Sequence, residues 1–184
     1  MPFAVRRACL ILVFALTLPA VALPAAALAA AEPQPVDYPP PPEGSAVLTV
    51  TGTDGEATRF TLRELEALGM HESTTSTYWP GDEGPFAGPL LEDVLAAGGL
   101  AGAKAIRLTA LDGYTVVIPR RDWRRWPLLL VTRVAGELLT VSEKGPLRIL
   151  YPKDMDPELS ERGYGLRSAW MLESIAPADP SEVR

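Results

Sequence analysis

The chain predicts a single α+β domain, mixed and rich in strand, on three observations. Several short segments alternate apolar and polar residues, as half-buried strands do, beginning with 46–51. Capping and turn residues frame only a few short helices. The strands are spaced too unevenly for the repeated strand–helix units of a doubly wound parallel sheet.

The elements follow in order. Thr61 and Glu64 form a T-x-x-E capping box that opens a helix over 62–68. Residues 70–79, rich in Thr and aromatics, suit a strand. Pro89 and the Gly98-Gly99 pair frame a second helix through Leu90, Leu91, Val94 and Leu95. Asp112-Gly113 between the apolar runs 105–111 and 114–118 marks a hairpin. Residues 120–126 suit a helical turn and 128–134 a buried strand. Gly136-Glu137 turns the chain into 138–141, and 147–151 and 169–175 supply two more strands.

The N-terminus reads as a cleavable export signal over 1–31. Arg6 and Arg7 precede an uncharged apolar run, 8–22, and small-x-small patterns follow at Ala27-Leu28-Ala29 and Ala29-Ala30-Ala31. The run falls short of the roughly 20 residues that span a bilayer and ends against Pro24. Cleavage would leave a periplasmic or secreted protein without a transmembrane segment. It would also remove Cys9, the one cysteine, and with it any disulfide, thiolate metal site or cysteine nucleophile. Arg6 and Arg7 leave without any acidic residue, so 17 basic residues become 15 against 23 acidic ones and the formal charge moves from −6 to −8. That charge excludes non-specific nucleic-acid binding. The proline-rich stretch 32–45 reads as an extended tether unsuited to sheet pairing. Residues 46–177 are then the globular domain and 178–184 a C-terminal tail.

Familiar catalytic and metal patterns are absent. His71 is the only histidine and reads as a surface or strand-edge residue; no G-x-S-x-G elbow surrounds any serine. Asp154, Asp156 and Glu158 are spaced like the start of a calcium loop but lack its glycine and closing glutamate, and read as a solvated acidic loop. Asp82-Glu83 reads as part of a glycine-rich loop. Arg120, Arg121, Arg124 and Arg125, interleaved with Trp123 and Trp126, could clamp an anion, but their spacing better fits a short amphipathic helix that buries both tryptophans. Arg148, inside the apolar run Leu147–Leu150, needs either an internal carboxylate, such as Glu173 or Asp112, or a bound anion.

A collinear series of short motifs resembles the molybdopterin-binding domain of sulfite-oxidase-type oxidoreductases. It runs through Phe86-Ala87-Gly88 with Leu90, Leu91 and Leu95, Leu111-Asp112-Gly113-Tyr114, Ile118-Pro119, and Gly136-Glu137-Leu138-Leu139. It continues through Lys144-Gly145-Pro146-Leu147-Arg148, Tyr151-Pro152, and Trp170 with Ile175, covering about 46–175. The resemblance implies the sulfite-oxidase fold and a pterin phosphate contact at Arg148. Lys144, Tyr114, Tyr164 and Arg167 are the residues expected near Arg148. Three departures bear on the family's chemistry. The stretch 74–79, where relatives carry the molybdenum-ligating cysteine, holds only Thr, Ser, Tyr and Trp; Ala169 stands where lysine is usual; and 153–157 replaces a glycine-containing loop. Without a thiolate the metal loses its protein anchor. The expectation is therefore a non-catalytic module with no cofactor, binding a small anion or an exported or membrane protein partner. The alternative is a periplasmic oxidoreductase component that holds molybdopterin without cysteine.

Overall fold

The computed structural model describes residues 31–183. The expected signal segment therefore lies, but for Ala31, outside the described residues. The described chain forms a mixed, strand-rich α+β domain.

One five-stranded sheet has the order β3-β2-β12-β6-β7. It comprises β2 (Leu48–Thr51), β3 (Ala57–Phe60), β6 (Ala105–Ala110), β7 (Thr115–Pro119) and β12 (Leu172–Pro177). The last strand returns to lie parallel to β2, with Ser174 opposite Thr49, while every other pair in this sheet is antiparallel. Leu48 and Val50 face inward and Thr49 and Thr51 are half-buried, so the alternation in the sequence does select one face. Gly113, at φ +83°, closes the β6–β7 hairpin as the Asp-Gly pair predicts.

Helices cover this sheet. The Thr61–Glu64 capping box opens α1 (Leu62–Glu66), whose Leu65 is fully buried. The next helix, α2 (Leu91–Ala97), buries Leu91, Val94 and Leu95 at helical spacing. In α3 (Arg120–Arg125) Trp123 is buried, as is Trp126 just after it. Their core joins Ile106, Leu108, Ile118 and Ile175 of the sheet to Leu130, Leu147 and Ile149.

The second five-stranded sheet has the order β1-β4-β5-β9-β10. It comprises β1 (Gln34–Pro35), β4 (His71–Ser76), β5 (Glu83–Gly88), β9 (Arg133–Val134) and β10 (Glu137–Leu138). Between the sheets runs a two-stranded ladder of β8 (Leu129–Val131) and β11 (Arg148–Leu150), each fully buried. Phe86, Leu129, Val131, Leu139 and Leu150 form a second, smaller core beside it. Residues 162–167 form α4, preceded by single-turn 3₁₀ segments at 153–155 and 157–160.

Four sequence expectations change. The segment 32–45 does pair: Gln34 and Pro35 lie opposite Glu72 and His71, and Pro41 is buried. This works because an edge strand needs no amide donor on its outer side. His71 is accordingly inside the sheet, between Pro35 and Gly88, rather than at its edge. The run 128–134 breaks at Thr132, where the chain leaves the ladder for the second sheet. The glycine-rich segment after Asp82 is strand β5, not loop, and Pro85 is tolerated within it.

An ion pair fixes the N-terminal segment. Arg133 Nε and Nη2 donate to the two carboxylate oxygens of Glu66 at 2.9 and 3.0 Å. Its other donors reach the carbonyls of Gly136 and Pro39, and its guanidinium lies 5.0 Å from the centre of the Tyr38 ring. Thr132 Oγ1 also donates to Glu66. A buried pair satisfied on this many sides can offset its desolvation.

Candidate functional site

Arg148 lies on a buried strand, with its side chain turned to the wall of a pocket it shares with Lys144 and Asp82. Its side chain is 3% exposed, and its guanidinium sits 4.5 Å from the centre of the Phe86 ring. Nη1 and Nη2 donate to Oδ1 and Oδ2 of Asp82, each at 3.1 Å, in the fork-to-fork geometry that arginine makes with a carboxylate. Asp82 also accepts from Thr77 Oγ1 at 2.8 Å and lies 3.4 Å from Lys144 Nζ.

The β4–β5 connection delivers Asp82 to this position. Thr77 N–H donates to the Asp82 carbonyl, Asp82 N–H donates to the Trp79 carbonyl, and Gly81 takes φ +75° to make the turn. Burial raises the Asp82 carboxyl's affinity for a proton. The charge and hydrogen bonds of Arg148, the Thr77 hydroxyl and the charge of Lys144 outweigh burial and hold it below the usual carboxylate range.

The partner of Arg148 is therefore an internal carboxylate, but neither Glu173 nor Asp112. Asp82 sits 66 residues upstream. Asp82 takes one N–H from each terminal nitrogen of Arg148, while Nε has no partner among the described residues, and Arg148, Lys144 and Asp82 together line a pocket of about 430 Å³. Lys144 shares Asp82 with Arg148, and its ammonium lies 4.3 Å from the centre of the Trp170 ring.

Arg167 and Tyr164 belong to a different cluster. Arg167 Nη1 donates to Asp122 Oδ2 at 3.0 Å, and Tyr151 donates its hydroxyl to the same oxygen at 2.9 Å. Asp122 is fully buried. Burial and the Asp122 charge push the Tyr151 hydroxyl well above its ordinary pKa. Tyr164 donates to Glu158 at 2.6 Å and packs edge-on to Trp126. Burial first, then that hydrogen bond and the Glu158 charge, raise its pKa to about 12. Tyr114 is partly exposed and donates to the Leu166 carbonyl at 2.7 Å. The five residues thus divide between two clusters and a rim.

The remaining candidates are structural. Asp154 accepts from Ser76 N–H and Oγ at 2.7 Å each, pinning the 3₁₀ turn to β4, so the acidic run is engaged rather than merely solvated. No group of acidic, histidine or cysteine side chains among the described residues could hold a metal ion. The arginines of α3 form ion pairs, Arg124 with Glu92 and Arg125 with Asp156 and Glu158.

Between the two clusters opens a pocket of about 230 Å³. Trp79, Tyr114, Leu166, Trp170 and Met171 line it, with Asp112 as the one carboxylate among the described lining residues and Ala169 in its wall. Trp79 and Trp170 meet at 5.5 Å between ring centres. Tyr78 packs against the Gly165 backbone so tightly that a Cβ there would lie 2.2 Å from Tyr78 Cγ. Sequence reasoning missed Asp82, Asp122, Trp79 and the Glu66–Arg133 pair. Only the demand of Arg148 for a carboxylate signalled any of them.

No protein-family model matches the chain, and no curated protein matches it. Among solved structures, it is similar in fold to the sulfane dehydrogenase SoxCD from Paracoccus pantotrophus, with a TM-score of 0.55 and 15% identity. The match covers 92% of this chain and 56% of that one, so the chain spans little more than half of that protein's length. The likeness extends to the mixed, strand-rich architecture and carries no site residue with it.

Proposed function

We propose that this is an exported, non-catalytic domain of sulfite-oxidase type that acts by binding, in the periplasm or outside the cell. The observation that carries the reading is the closure of Arg148 and Lys144 on Asp82: the two cations expected to hold a cofactor's anionic group face a carboxylate of the chain itself. The residues do not fit molybdopterin in two further respects. The single cysteine is Cys9, in the expected signal, and the stretch 74–79 offers no thiolate. A small anion bound at Arg148 is correspondingly disfavoured, and a partner or ligand engaging the exposed aromatic and aliphatic surface near Trp170 is favoured.

The second reading, an oxidoreductase component, draws on the fold shared with a sulfane dehydrogenase. Molybdenum and pterin content of the protein purified from its native host decides between them. Both are expected near zero, and stoichiometric molybdenum would overturn the proposal. N-terminal mass spectrometry on the same sample tests export, with a mature chain expected to begin at Ala30 or Glu32. A chain retaining Cys9 in the membrane fraction would refute export.

A further inference from the structure

We infer that the pocket bounded by Trp79, Tyr114, Trp170 and Asp112 binds an organic cation of the quaternary ammonium class. This names a ligand for the binding module proposed above and rests on that reading.

Three aromatic side chains and one carboxylate converge on a space of about 230 Å³, which suits a trimethylammonium head group. Among the described residues, no basic side chain lines the pocket. Asp112 Oδ1 accepts the Tyr114 N–H at 2.9 Å, while Oδ2 has no hydrogen bond or ion pair among the described residues. Asp112 is an exposed turn residue at the mouth of the pocket and supplies the one carboxylate among its lining residues.

The chemistry of the walls selects among cations. A hard metal ion needs about six oxygen ligands, which these walls do not provide. A primary ammonium would lose water from three N–H donors and meet too few acceptors. A quaternary ammonium carries no N–H, is weakly hydrated, and is stabilised by aromatic faces and one nearby negative charge. Trp170 already holds one cation, the Lys144 ammonium, at 4.3 Å. Asp82, shared between Lys144 and Arg148, offsets only part of that charge, which leaves the Asp112 carboxylate as the counter-charge for a second cation.

The pocket is also held in shape. Met171 takes a left-handed φ of +51°, unusual for a residue with a side chain. Its N–H donates to the Lys144 carbonyl and its carbonyl accepts from Leu111 N–H, which fixes the Trp170–Met171 wall against the Asp112 turn. Strained backbone retained at a pocket wall is a common mark of a binding site.

Isothermal titration of the purified protein with choline, and with 3,3-dimethylbutan-1-ol as its uncharged isostere, tests the inference. Choline should bind, and the isostere should bind at least about tenfold more weakly. Asp112→Asn, which keeps the Oδ1 acceptor for the hairpin, should weaken choline by about tenfold, and Trp170→Leu should abolish binding. Equal binding of choline and isostere, or none of choline at tens of millimolar, would overturn it, and the wild-type comparison stands even where a variant misfolds. Co-sedimentation with phosphatidylcholine vesicles distinguishes a lipid head group from a soluble ligand. Molybdenum and pterin assayed on the same sample separate the two failures: choline inert without molybdenum sinks this inference alone, whereas stoichiometric molybdenum sinks the binding-module reading beneath it.

Discussion

Arg148 and Asp82 meet through two parallel hydrogen bonds of 3.1 Å, joining a buried strand to the turn between β4 and β5. The pair places a carboxylate against Arg148 in the pocket that both share with Lys144. Removing one partner leaves the other buried and uncompensated, so Asp82→Asn should cost about 3 kcal/mol in urea unfolding. Arg148→Met should cost less, because Thr77 and Lys144 still face Asp82 and methionine keeps much of the apolar stem. The double variant should recover part of the loss, and strict additivity would show that the pair is not coupled. Phosphate should leave the wild-type melting temperature unchanged at constant ionic strength and raise that of Asp82→Ala, where both cations are released.

The same pair sets a pH dependence. Asp82 and Asp154 both titrate below their ordinary range in the folded protein. The folded state thus binds fewer protons than the unfolded one as these groups titrate. Their contribution is complete above the unfolded aspartate value of about 3.9 and is lost as pH falls through the lower folded values. Stability should hold from neutrality to about pH 5 and fall below about pH 4. Asp82→Asn, compared by unfolding at each pH, should show a shallower fall.

At the alkaline end the sign reverses. Tyr164 is neutral in the fold up to about pH 12. An unfolded tyrosine loses its proton near pH 10, so stability should drop between those values by about 1.4 kcal/mol per pH unit for this residue. Tyr164→Phe should flatten that slope, and absorbance at the tyrosinate band should show one late-titrating group fewer.

Glu66 and Arg133 hold the segment 32–45 on the domain, through Pro39 and Tyr38. Glu66→Gln should destabilise the protein by about 3 kcal/mol and expose that segment to proteases. Cleavage no faster than in the wild type would show that β1 and contacts such as Tyr38–Glu72 and Arg63–Pro41 suffice to anchor it.

Gly165 has no room for a side chain beneath Tyr78. Gly165→Ala should cost about 2 kcal/mol and displace the Tyr78–Trp79 turn. A shift in tryptophan emission reports the displacement, since Trp79 packs on Trp170.

Much of the fold was legible because local rules governed it. The Thr61–Glu64 box, the Gly113 turn and the alternation through β2 each appear where their residues predict. Strand β5 was not legible, since Pro85 and the glycines around it mimic a loop and only pairing with β4 makes them strand. The pairing of Pro35 with His71 was hidden for the same reason.

The sequence by itself determined that Arg148 must have a partner, that thiolate chemistry is confined to Cys9, and that short helices cover a strand-rich core. These follow from residue type and near-neighbour spacing, which a linear chain displays. Only the tertiary structure decided that the partner is Asp82, that Arg167 belongs to Asp122, and that Trp79, Tyr114 and Trp170 share a pocket. The physical reason is separation: an ion pair across 66 residues depends on which turn the folded sheets carry to which strand, and no local pattern encodes that distance.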